Sequence, residues 1–288
     1  MRKELDIIIP ISLDLDWPTK DIIIDDIMEL YNNYSFTRFA LAAPCGGWRA
    51  VGFPPREFYE ERAKLFAEVK SELSPYGIDC GWWITATLKS GRSDEFTGVV
   101  REDGTESPFQ NCPFDENFKK QFAEMTALFA EIAKPAFIIT EDDYTLGTGC
   151  FCKNHLDEFA SREGKYYSRD ELLSAFNSDT DEGYALMRRW RELTKESLVS
   201  FADAIRKEVD KKSPETPIGY MPNPEDINLE GLDMTVEDLK KILDCDKKVW
   251  LAEAEDIENF YATKFGDTLP KELYAELKKL KKNLRKRG

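Results

Sequence analysis

No stretch of this sequence approaches the roughly 18 consecutive apolar residues that a membrane-spanning helix needs, so a transmembrane chain is not expected. A signal-peptide pattern is lacking too: Met1-Arg2-Lys3-Glu4-Leu5-Asp6 runs straight into a strand-like apolar stretch. The six cysteines are too few and too unevenly spread to staple a chain of 288 residues with disulfides. A reducing cytoplasm is the compartment these absences suggest. With a formal net charge of −15, a long polyanion is a poor partner for the body of the protein, because phosphate backbones are bound through clustered cations. There is no internal repeat and no long linker, so residues 1–288 are read as one domain.

What is there is the make-up of a globular protein. An apolar fraction of 42% and an aromatic fraction of 12% argue against disorder. The length accommodates one α/β barrel, a fold of typically about 250 residues.

Short β-branched runs alternate with long amphipathic ones, the pattern of parallel strands and crossover helices. Strands are expected at Asp6–Leu13, Phe36–Ala43, Ile78–Leu88, Ala136–Thr140, Pro217–Met221 and Lys248–Ala254. Helices are expected at Lys20–Tyr31, Pro55–Leu73, Glu116–Ala133, Leu156–Glu163, Ser168–Asn177, Asp181–Lys211, Val236–Leu243 and from Pro270 to about Leu284. Ser168-Arg169-Asp170-Glu171 has the form of a capping box. Lys89 to Asn111 reads as a long loop, and 144–213 as a helical insertion after strand four. The fold expected is therefore a (β/α) TIM-type barrel with about six recognisable β/α units. Either two strands lie outside the chain, or the sheet is open, or Ile257–Lys264 supplies an irregular closing piece.

The sharpest local signal is Cys150-Phe151-Cys152-Lys153-Asn154-His155, which sets two thiols and the chain's only histidine at the start of a helix. Thiolate and imidazole are the donors zinc prefers, and a structural site takes four in tetrahedral array. Cys112, just ahead of the preceding helix, is the best fourth candidate. The expected cofactor is thus a structural Zn2+ on Cys112, Cys150, Cys152 and His155. The competing reading is of thiols in a loop beside a histidine that merely packs. Cys45, Cys80 and Cys245 lie on or beside apolar stretches and read as small buried residues.

Asn111-Cys112-Pro113, a helix, the strand and turn Phe137 to Tyr144, and then Cys150, Cys152 and His155 together resemble glycoside hydrolase family 42 β-galactosidases. They look closer still to uncharacterised barrel relatives that end the fourth strand in an acidic triplet. The resemblance covers mainly Asn111–Phe159. It implies a barrel that hydrolyses an O-glycosidic bond, and a zinc bound by the cysteine cluster, with His155 where the family has a cysteine. It places Asp143 at the family's acid/base glutamate and Asp142 at the asparagine before it, both departures from the pattern. The family's nucleophile, from the seventh strand, would fall beyond Gly288.

A barrel puts its chemistry at the C-terminal ends of its strands, where Glu141, Asp142 and Asp143 are expected. Three adjacent acids repel one another, so at least one should hold its proton more tightly than usual, as a general acid must. A solvated acidic turn, or a second metal site for calcium, uses the same residues. Glycoside hydrolysis needs a second carboxylate, roughly 5–5.5 Å away for retention or 6.5–9.5 Å for inversion. Glu253 and Glu255 at the end of strand six, or Asp14 and Asp16 at the end of strand one, are the candidates. Trp17, Trp48, Arg49, Trp83, Lys89 and Arg92 follow or lie on strands and suit a saccharide cleft, with aromatic faces for stacking and cations for hydroxyls.

The function expected is a glycoside hydrolase-like barrel acting on a small saccharide, with neither nucleic acid nor membrane as partner and homo-oligomer formation left open. The alternative is a non-catalytic carbohydrate-binding or structural barrel fragment, truncated or engineered. A third reading makes the basic tail Lys278–Arg287 an anion or nucleic-acid binder, against the simpler one of a solvated helix end.

Overall fold

A computed structural model describes residues 7–13, 19–44, 47–141, 144–220, 247–266 and 270–286. Two compact units are distinguished, Met1–Asp226 and Ile227–Gly288. In chain order the first holds β1 (Ile9–Ser12), α1 (Lys20–Tyr34), β2 (Arg38–Ala42), α2 (Trp48–Val51), α3 (Arg56–Leu73) and β3 (Asp79–Ile84). There follow β4 (Gly98–Val100), β5 (Glu106–Asn111), α4 (Glu116–Ala133) and β6 (Ile138–Thr140). Last come α5 (Lys153–Glu163), α6 (Arg169–Phe176), α7 (Asp181–Lys212) and β7 (Ile218–Gly219).

Strands β1, β2, β3, β6 and β7 form one five-stranded sheet in that order, every pair parallel. Strand order thus follows chain order, as it must when each crossover helix returns the chain to the same side. Side chains alternate across a strand, and the alternation divides this sheet sharply. Phe39 and Leu41, Cys80, Trp82 and Ile84, and Ile138 form one buried row. They share a core with Ile23 and Ile27 of α1, Phe66 of α3, Phe129 of α4 and Phe201 of α7. At its centre the Trp82 indole stacks on Phe129 with centroids 3.7 Å apart and planes 13° from parallel. Its Nε1 donates to the Ala43 carbonyl at 2.7 Å, so the ring is buried without an unpaired polar atom. On the opposite face Phe137 lies flat over Gly81, where an added Cβ would come within 2.1 Å of the ring. The Arg38 guanidinium sits over the same ring at 4.8 Å.

Helix limits follow local chemistry. Asp115 accepts from the Phe118 amide at 2.8 Å to start α4, and Lys134 in the left-handed region ends it. The capping box at Ser168 and Glu171 forms as the sequence suggests. A smaller core of Phe151, Phe159, Leu172, Leu186, Trp190 and Leu193 joins α5 and α6 to the N-terminal half of α7.

Three expectations need correction. The third strand stops at Ile84, and the expected loop after it contains the antiparallel hairpin β4–β5. In the second unit, Lys248–Ala254 is not a strand but part of helix α8 (Lys247–Lys264), which also takes up the supposed closing piece Ile257–Lys264. Val249-Trp250-Leu251 is too short a run to distinguish strand from buried helix. Leu251, Ala254, Ile257 and Tyr261 continue it at helical spacing. The parallel sheet therefore has five described strands, not six. The last helix, α9, spans Lys271–Lys286. The expected helix Val236–Leu243 lies outside the described residues. No described helix is long and apolar enough to cross a membrane.

The two faces of β3 give a direct test. Trp82→Ala should destabilise the fold by about 3–5 kcal/mol in urea titration, the range for a buried tryptophan. Half-buried Trp83→Ala should lose less than half of that. Equal losses would contradict the assignment of faces.

Candidate functional site

Cys112, Cys150, Cys152 and His155 converge: their donor atoms all lie within 4.8 Å of one another, and all four residues are buried. They come from separate pieces of chain. Cys112 follows β5, and its amide donates to Thr97 at 2.8 Å while its carbonyl accepts from Asp115 at 2.9 Å. The turn is tied again by Asp115, whose carboxylate takes the Thr97 amide at 2.9 Å and hydroxyl at 2.7 Å. Cys150 and Cys152 precede α5, and the residue between them, Phe151, donates its amide to Val100 of β4 at 2.9 Å. Cys152 is the N-cap of α5, which puts His155 in the first helical turn.

Three of the separations within the group come near those of ligands around one ion. Cys112 Sγ lies 3.3 Å from His155 Nδ1 and 3.5 Å from Cys152 Sγ, and Cys152 Sγ lies 3.5 Å from the same Nδ1. Bonds of roughly 2.3 Å to sulfur and 2.0 Å to nitrogen in a tetrahedron imply ligand separations of about 3.5–3.8 Å. Three sulfurs and one ring nitrogen, closed off from solvent, fit a structural zinc and leave no position for a substrate.

The thiols act on one another. Hydrogen bonds from Cys112 and then Cys150 hold the Cys152 thiol well below the ordinary range, against the effect of burial. Burial, followed by the bonds to Cys150 and Cys152, pushes Cys112 well up. For Cys150 the bond with Cys112 lowers the value, but the bond with Cys152 and burial outweigh it and push it up to about 12. Ionising three buried thiols side by side calls for a cation among them. Cys80 lies apart, buried under the sheet, and desolvation pushes its thiol up to about 12.

The outer wall of the group is aromatic. Phe114 lies 4.5 Å from the His155 ring, and Trp190 6.3 Å from it. Trp190 Nε1 donates to Thr148 at 2.9 Å, which fixes the approach to Cys150. Gly149 makes that approach possible: its φ is +128°, and a Cβ there would stand 2.3 Å from Trp190 Nε1. Sequence reasoning missed Ser197 of α7, whose Oγ lies 3.2 Å from His155 Nε2. Nothing in its spacing marks it, since 42 residues separate the pair.

Asp142, Asp143 and Trp17 lie outside the described residues, as do Asp14, Asp16 and Cys45. Glu141, half-buried, follows β6. Glu253 and Glu255 are exposed on helix α8, so they are not at the end of a strand. Trp48 packs edge-on against Phe58 at 4.9 Å. Arg49 donates to the Thr85 carbonyl at 3.0 Å. Arg92 binds Asn111 Oδ1 at 2.8 Å and pairs with Glu106. Trp83 is half-buried on β3. Lys89 lines a cavity of about 560 Å3 with Arg101, Gln110 and the Thr145–Gly149 turn.

Residues 201–283 match the family model for the phosphoenolpyruvate carboxykinase C-terminal P-loop domain. The phosphoenolpyruvate carboxykinase [GTP] of Renibacterium salmoninarum is 38% identical over 113 residues, 39% of this chain and 18% of that protein. The enzyme of the same name from Neocallimastix frontalis is 46% identical over 71 residues, 25% of this chain and 12% of that protein. The chain thus spans less than a fifth of these relatives. Among solved structures, the PgaB (BpsB) glycoside hydrolase domain from Bordetella bronchiseptica is similar at a TM-score of 0.53 and 14% identity, over 75% of this chain and 65% of that one. A β-galactosidase from Rahnella sp. R3 is similar at 0.50 and 11% identity, over 76% of this chain and 36% of that one. Identities so low speak for the fold alone, which hosts many chemistries.

The match by sequence corrects the resemblance to glycoside hydrolase family 42, because the relatives found are carboxykinases. Glycoside hydrolysis, the non-catalytic carbohydrate-binding alternative and a small saccharide partner fall with it. The carboxylate pair that hydrolysis needs loses its strand-six member for a physical reason as well, since Glu253 is helical.

Gly149→Ala combines a strained φ with a clash and should cost about 2 kcal/mol or more in chemical denaturation. Gly147→Ala, with φ +59° and open space around it, should cost about half as much or less. Equal effects would show that the Trp190 contact does not constrain this loop.

Proposed function

We propose that this chain serves GTP-dependent phosphoenolpyruvate carboxykinase chemistry through its C-terminal part, whose helices α8 and α9 dock onto a catalytic body. The observation that carries this is the family match over residues 201–283. The form of the second unit supports it. Helices α8 and α9 lie antiparallel, with Tyr261 against Tyr274 at 6.0 Å and Lys281 on Glu258 at 2.7 Å. Yet Phe260, Phe265, Leu273 and Leu280 remain 40–51% exposed. A helix pair of this size has little core of its own, and such a row of apolar side chains suits a larger surface. Phosphoryl transfer itself needs a loop that wraps nucleotide phosphates, commonly ending in Gly-Lys-Ser/Thr. The chain's one Gly-Lys pair, Gly164-Lys165, is followed by tyrosine. In this reading the catalytic body holds the nucleotide and this chain supplies support.

Fragment complementation tests the proposal. The Renibacterium enzyme, shortened by the segment that corresponds to 201–283, should regain at least tenfold of its GTP-dependent activity on phosphoenolpyruvate when this chain is added. This chain alone should be inactive. No recovery, together with no binding between the two, would contradict the reading.

The first unit is read as an arc of a (β/α)-barrel. Supporting this are the parallel strands in chain order, the helices on one face and the likeness to two solved structures. Within it, Cys112, Cys150, Cys152 and His155 hold a structural Zn2+, which when bound neutralises the thiolates and ties β5, the loop before α5 and the start of that helix together. Purified protein should carry close to one zinc per chain. Stripping the metal, or Cys112→Ser, should lower stability by about 4 kcal/mol at zinc a thousandfold above its Kd. A chain that neither contains zinc nor takes it up would refute the site.

A further inference from the structure

His155 faces two partners at once: Nδ1 points to the sulfurs of Cys112 and Cys152, and Nε2 to Ser197 Oγ at 3.2 Å. The roles of the two nitrogens are fixed by where the serine proton goes. Ser197 Oγ lies 2.7 Å from the Thr194 carbonyl, one turn back on α7, and a carbonyl can only accept. A hydroxyl has one proton. Given to Thr194, it leaves only lone pairs for the ring, and the Nε2–H must donate to them. A neutral imidazole with its proton on Nε2 has its lone pair on Nδ1.

We infer that Ser197, held by the Thr194 carbonyl of α7, is a positioning residue that locks His155 in the Nε2-protonated tautomer and so presents Nδ1 to the metal. This rests on the zinc reading above and deepens it. His155 and Ser197 are both fully buried, so water does not compete for either nitrogen. Phe114 on one ring face and Trp190 nearby restrict rotation of the imidazole, which keeps Nδ1 from exchanging places with Nε2. A consequence for the fold follows. Helix α7 contributes no ligand, yet it is hydrogen-bonded to one, so metal binding is coupled to α7 as well as to β5 and the start of α5. Second partners of this kind typically affect metal affinity by about 10–100-fold.

Because the chain has one histidine, a long-range proton–nitrogen correlation spectrum of uniformly 15N-labelled protein reports a single imidazole. In metal-free protein the expected pattern is a protonated Nε2 and an unprotonated Nδ1. On adding zinc, Nδ1 should shift while Nε2 keeps its proton. With 113Cd in place of zinc, the coupling should appear on Nδ1. Ser197→Ala should weaken zinc binding about 10–100-fold in chelator competition, and its metal-free spectrum should show a mixture of tautomers. A proton on Nδ1, metal coupling to Nε2, or unchanged affinity and a single unchanged tautomer in Ser197→Ala would overturn the assignment. Failure of the unaltered chain to take up zinc would instead overturn the zinc reading, which the metal titration detects separately from the tautomer.

Discussion

Three thiols and an imidazole share one dry pocket in this protein, and much of the first unit is arranged so that they can. Buried ionisable groups are tolerated only when paired or bound to an ion. Here the pairing draws on chain that is otherwise separate: the end of a hairpin, a glycine-rich turn and the start of a helix, with a second helix behind. Each is fastened by hydrogen bonds of its own. Thr97 and Asp115 hold the turn at Cys112, Val100 holds Phe151, and Trp190 holds Thr148. The cluster therefore sits where a small hairpin, too short to stand alone, is joined to the helical layer.

A second constraint shapes the sheet. One face is filled by Trp82 stacked on Phe129 and by the aromatic rows of α3, α4 and α7. The other carries Gly81 beneath Phe137, with Arg38 above the ring. The first face is a core in the usual sense, apolar and closed. The second carries Ala40, Ala42 and Gly81 beside half-buried Trp83, with Phe137 covering the glycine.

Much of this was legible in the residues. The limits of α4 stand as read, since Asp115 and the residue after Ala133 mark them chemically. Cys112, Cys150, Cys152 and His155, singled out by spacing and scarcity, do lie side by side. What escaped has physical causes. The β4 strand is three residues long, in a stretch rich in glycine and charge, and its pairing is decided by distant partners. Helix α8 begins with a short apolar run that fits either period. Ser197 was invisible because a serine on a helix carries no signal until the histidine beside it is located.

Architecture and sequence kinship point in different directions here. Architecture likens about three quarters of the chain to glycosidase structures, whereas residues 201–283 match the carboxykinase family model. Architecture constrains where a site can be, and side chains decide what it does. What these four donors hold is accordingly a local question. X-ray absorption at the zinc edge of the loaded protein measures it directly. Three sulfurs at about 2.3 Å and one nitrogen at about 2.0 Å are the shell expected from these donors. A shell of four sulfurs, or one dominated by oxygen, would contradict it.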